Sequence, residues 1–98
     1  SLTTRFYEQT GVVLNVTSTL RPNDSSSWHS SGIAFDVAND EFNTGANGFS
    51  GWYLRNLYGQ MAREMGETPL DEYPGGEGEQ YARGSNYHIT VHNQDDWE

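Results

Sequence analysis

One of the chain's three histidines stands in SWHSSGIAFDV, at residues 27–37. His29 precedes Asp36 by seven positions, with a Ser-Ser-Gly turn and a short apolar run between them. If the chain folds back at Gly32, that imidazole and that carboxylate converge. The other two histidines, His88 and His92, lie in YHITVH at residues 87–92. Two imidazoles and a carboxylate around an open fourth position are the donor set of a catalytic Zn2+. Such an ion lowers the pKa of a bound water toward about 7 and polarises a carbonyl. The small residues Gly32 and Ala34 beside Asp36 leave room for an ion and a substrate. The same residues fit a plainer account, since a strand-end aspartate is commonly solvated or capping and most histidines are not ligands. His-x6-Asp spacing alone is compatible with both.

The elements that would position these residues are short. Leu2 and Phe6 mark a helix over 2–9 that Gly11 ends. Alternation of Val12, Leu14 and Val16 predicts a strand over 11–18. Turn formers make 20–31 a loop. The next strand covers 32–37, with Ile33, Phe35 and Val37 on one face and Gly32, Ala34 and Asp36 on the other. A loop follows over 38–50. Leu54, Leu57, Tyr58, Met61 and Met65 form one apolar stripe, predicting a helix over 51–66 with Ser50 at its start and Gly66 at its end. The acidic, glycine-rich stretch 67–86 reads as mostly loop. A last strand covers 87–92, with Tyr87, Ile89 and Val91 opposite in facing to His88, Thr90 and His92. Four strand residues span about 13 Å at about 3.3 Å each. A flat strand therefore delivers only one of His88 and His92 to an ion. The tail 93–98 is expected to fray. Helices and strands mix without βαβ alternation, which predicts the α+β class.

Composition sets the bounds. The chain has 98 residues, 34% hydrophobic and 13% aromatic, enough for one domain over 1–98 with a modest core. There is no cysteine, so neither a disulfide nor a thiolate ligand is available. Five Lys+Arg against fourteen Asp+Glu give a net charge of −9, which argues against a nucleic-acid or anionic-membrane surface. No apolar run approaches the roughly 20 residues of a membrane span. No basic segment followed by an apolar one marks a signal peptide.

The longer stretch VTSTLRPNDSSSWHSSGIAFDV resembles the zinc D-alanyl-D-alanine carboxypeptidase and peptidoglycan endopeptidase family. That family includes the vancomycin-resistance dipeptidases and phage endolysin peptidases, and the Hedgehog signalling domain shares its fold. Its motif S-x-H-x-x-G-x-A-x-D is filled by Ser27, His29, Gly32, Ala34 and Asp36. Thr17, Ser18 and Arg21 resemble the strand-end pair and arginine that precede it. The likeness covers about residues 11–38 and is looser beyond.

The resemblance implies a small, mostly antiparallel sheet packed against helices, Hedgehog/DD-peptidase-like. It implies Zn2+ held by His29, Asp36 and a late-strand histidine, for which His88 is the better match and His92 the runner-up. It implies hydrolysis of an amide bond in peptidoglycan peptides, in a cell-wall, periplasmic, extracellular or phage-associated setting. Arg21 would bind a substrate carboxylate or the developing oxyanion. Ser27 would orient the loop or hydrogen-bond a ligand at the substrate-binding site, and Trp28 would line the substrate cleft. The family often places an acid/base carboxylate three residues before the late histidine, and here that position is Ser85. His92, or Glu77 or Glu79 from the acidic loop, would have to serve instead. The alternative is a catalytically silent zinc-binding domain that recognises cell-wall peptides or a protein partner.

Overall fold

The structure is a computed structural model and describes residues 1–20 and 33–92. Helix α1 covers Leu2–Thr10, with the Ser1 hydroxyl accepting from the Thr4 amide at its start. Gly11 ends it in the left-handed region. Leu2, Phe6 and Thr10, spaced by four, are its buried side. Strand β1 is Val16–Leu20 and β2 is Ile33–Val37. Helix α2 is the single turn Glu41–Thr44, and α3 is Gly51–Glu64. Strand β3 is Thr68–Asp71, a 3-10 turn covers Glu79–Tyr81, and β4 is Tyr87–Val91. The described residues form an α+β arrangement in which the four strands make one sheet of order β1-β2-β4-β3. All three neighbouring pairs are antiparallel. No described helix is long and apolar enough to cross a membrane.

The last strand thus lies inside the sheet. The helices between β2 and β3 carry the chain to the far edge, and β4 returns to fill the slot. Its alternation explains the fit. Tyr87, Ile89 and Val91 are buried, while His88 and Thr90 are half-buried. On β2, Ile33, Phe35 and Val37 point into the same core. Helix α3 covers that face through Leu54, Tyr58 and Met61, with Leu57 and Met65 packed at the margin, as the stripe predicts. Ser50 caps the helix by accepting from the Tyr53 amide, and Gly66 follows its end at φ 82°.

At the centre lies an aromatic cluster. The Phe42 ring stands 5.9 Å from Phe6, 5.5 Å from Tyr58, 5.4 Å from Tyr73 and 5.6 Å from Tyr87. Tyr87 reaches past α3 to donate to the Arg55 carbonyl at 3.0 Å. Only a glycine at position 59 lets that hydroxyl pass, because a Cβ there would collide with it. Burial pushes the Tyr58 and Tyr87 phenols well above their ordinary value, so both stay neutral.

Three expectations from the sequence are corrected. The strand expected over 11–18 begins only at Val16. Before it, the Asn39 side chain takes the place of a partner strand, accepting from the Asn15 amide at 2.8 Å and donating to the Val13 carbonyl at 2.9 Å. Val12 and Leu14 are still buried, but Val16 is exposed. The loop expected over 38–50 contains α2, whose Phe42 is fully buried. The stretch 67–86 contains β3, hidden in the sequence by a proline in its middle and a charged residue on its inner face. The loop expected over 20–31 and the tail 93–98 lie outside the described residues, apart from Leu20 at the end of β1.

Removing the central ring tests the core. Phe42→Ala should lower the unfolding free energy by about 3–5 kcal/mol, read from urea denaturation midpoints.

Candidate functional site

Asp36 on β2 and His88 on β4 are directly opposite in register. Both side chains rise from the sheet face away from the buried aromatic cluster. Their contact is a 2.8 Å hydrogen bond between His88 Nδ1 and Asp36 Oδ1. Against an ionised carboxylate, which only accepts, Nδ1–H is the donor. The side chains are 31% and 28% exposed, so water reaches the pair without swamping it. The row continues on both sides, with Ser18 of β1 opposite Asp36 and Leu70 of β3 opposite His88. The next row along the face pairs Ala34 with Thr90 and Thr90 with Thr68.

An imidazole and a carboxylate are both donor types that zinc takes. Asp36 and His88 would be the described residues to hold such an ion. Among the described residues, no group of three or more His, Cys, Asp or Glu side chains could by itself hold a metal ion. His29 lies outside the described residues, as do Arg21, Ser27 and Trp28.

The remaining candidates are engaged elsewhere. His92 bonds the Thr68 hydroxyl through Nε2 at 2.8 Å, and its amide donates to Glu67 Oε1 at 3.1 Å. It stands four strand residues from His88, as the spacing predicts. Glu79 accepts from the Gly75 amide at 2.9 Å, and Glu77 accepts from the Asp71 amide at 2.6 Å. Glu77 ties the acidic loop to the end of β3, and Glu79 folds it onto itself. Ser85 is exposed in the bend before β4.

Glu72 escapes the sequence reading. It follows the last residue of β3, and its amide donates to the Asn86 carbonyl at 3.0 Å. Alternation along this strand buries Asp71 and Tyr73 and turns Leu70 and Glu72 to the face that carries His88. Opposite Asn86, Glu72 is the diagonal neighbour of His88, a separation that a long side chain spans. Desolvation raises its carboxyl pKa above the ordinary 4.5, the Asp36 charge raises it further, and His88 acts in the opposite direction. The period of two would have revealed this position, had Asp71 not broken the apolar side of the pattern.

Asp71 is buried because Arg55 is. The Arg55 Nε donates to Asp71 Oδ2 at 3.0 Å, and the two side chains are 4% and 6% exposed. The guanidinium also lies 4.2 Å from the Trp52 ring centroid. Asp71 Oδ1 accepts from the Tyr73 amide at 2.9 Å, and its carbonyl accepts from Gly78 at 2.7 Å. Gly76 passes so close that a Cβ there would overlap the Asp71 carboxylate. Together these bonds set the direction in which the chain leaves β3, and so place Glu72.

The sign of the Glu72 shift makes a prediction. A carboxyl whose pKa rises on folding stabilises the fold below the unfolded value of 4.5, and that contribution is lost as pH rises through the folded value. Metal-free Glu72→Gln should therefore equal or exceed the wild type in stability at pH 7. The difference should shift in favour of the wild type at pH 4, as read from urea midpoints at the two pH values. Compared with known proteins, the chain matches no protein-family model, no curated protein and no solved structure.

Proposed function

We propose that the chain is a zinc-dependent peptidoglycan peptidase that hydrolyses an amide bond in cell-wall peptides. The observation that carries this reading is the Asp36–His88 pair, 52 residues apart in sequence, in contact on a water-accessible sheet face. The motif Ser27, His29, Gly32, Ala34 and Asp36 carries the family likeness, and His88 lies where the late-strand ligand is expected. An α+β arrangement with an antiparallel sheet is compatible with the Hedgehog/DD-peptidase fold.

In this reading Asp36 and His88 supply two ligands and His29 the third. Zinc, when bound, supplies Lewis acidity toward a carbonyl and lowers the pKa of water. Arg21 takes the substrate carboxylate or the oxyanion charge through its guanidinium fork. Ser27 orients the ligand loop, and Trp28 borders the peptide. The sheet contributes rigidity: two ligands on adjacent central strands lose little freedom on binding.

Purified protein should carry about one zinc per chain and should clear a suspension of cell walls. A chelator should stop the clearing and added zinc should restore it. Asp36→Ala and His88→Ala should each lose both the metal and the clearing. Zinc retained in either variant would refute the ligand assignment. Zinc binding without clearing by the wild type would favour the silent binding domain.

A further inference from the structure

We propose that Asn47–Gly48 is a modification site, at which the chain converts its own asparagine to aspartate or isoaspartate and so cuts a tie between the end of α1 and the α2–α3 connection. The proposal is independent of the metal and of the peptidase reading.

The reaction needs a backbone amide nitrogen that can reach the side-chain carbonyl carbon of the residue before it, with little in its way. Asn47 is the one asparagine of the chain that a glycine follows. Ala46 and Phe49 exchange two backbone hydrogen bonds, at 2.9 and 2.8 Å, around these two residues. Both have positive φ, 52° at Asn47 and 85° at Gly48, as in a type I′ turn. Both are exposed. The Gly48 amide has no hydrogen-bond acceptor among the described residues. The space where a side chain would stand at Gly48 is open.

The Asn47 side chain ties the turn to α1. Its Nδ2 donates to the Thr10 carbonyl at 2.8 Å, across 37 residues of sequence. Thr10 is the last residue of α1. Gly11, which ends the helix, passes so close that a Cβ there would stand 2.9 Å from that nitrogen. While this bond is made the side chain is committed to α1, so conversion proceeds through openings of the turn.

The chemistry balances with water as the only co-reactant. The Gly48 nitrogen bonds to Asn47 Cγ as the Cγ–Nδ2 bond breaks. Ammonia leaves, carrying the proton of the Gly48 amide, and a cyclic imide remains. Water then opens the ring. Attack at Cγ gives aspartate, and attack at the main-chain carbonyl gives isoaspartate, in which the backbone runs through Cβ and Cγ. Either product lacks the Nδ2–H donor and sets a carboxylate, which only accepts, against the Thr10 carbonyl. Isoaspartate also adds a carbon to the backbone of the turn that pairs Ala46 with Phe49.

The test stores the folded wild type at neutral and at mildly alkaline pH, then separates the chains by anion exchange. A species with one more negative charge is expected, formed faster at the higher pH, where the amide nitrogen loses its proton more readily. Peptide mapping should find aspartate and isoaspartate at position 47. Hydrogen exchange is measured on the separated species and on freshly prepared Asn47→Asp. The Gly11 amide, which donates to the Tyr7 carbonyl at the end of α1, should lose protection in both. If Asn47→Asp does not fold, the species formed from folded wild type decides the matter. Asn47 left intact in the folded chain overturns the proposal, and conversion in urea alone would show that the turn protects the site. Conversion at another asparagine with Asn47 intact also overturns it. Conversion at position 47 with α1 protection unchanged overturns the tie as its consequence.

Discussion

The arrangement depends on β4 pairing antiparallel between β2 and β3, in one register. A strand's side chains alternate faces, so a slip of one residue would turn His88 into the core and Ile89 out to water. The register is held because the inner face is specific. Tyr87, Ile89 and Val91 are almost fully buried, and the Tyr87 hydroxyl finds its acceptor on α3 through the gap at Gly59. Fixing the inner face fixes the outer one. Asp36 and His88 meet because Val37, Phe35, Tyr87 and Ile89 pack beneath them.

A second constraint governs the far edge of the sheet. Asp71 and Arg55 are charges taken out of water, which costs free energy unless each is paired and hydrogen-bonded. Here the carboxylate accepts from the guanidinium and from the Tyr73 amide, and Trp52 lies over the guanidinium. The pair binds the middle of α3 to the end of β3. Beyond it the chain has one direction to take, which leaves Glu72 on the open face. A buried charge pair is weak evidence of stability, and here it ties α3 to the end of β3.

Glu72 itself runs against folding. Its carboxylate is partly desolvated and lies near the Asp36 charge, and both effects disfavour its ionised form. The protonated carboxyl is correspondingly held more firmly than that of a water-exposed glutamate.

By itself the sequence determined the parts governed by local pattern. The stripe of Leu54, Tyr58 and Met61, the Ser50 cap and the facing of residues on β2 and β4 are all legible, since periods of 3.6 and 2 belong to single elements. So is the motif that contains Asp36. The tertiary structure decided what depends on partners distant in the chain. Asn39 replaces a strand beside Val13 and Asn15, Arg55 permits a charge on the inner face of β3, and Glu72 thereby gains its place. That His88 rather than His92 meets Asp36 follows from register alone, because hydrogen-bond pairing across strands selects one residue of the two and neither identity nor spacing does.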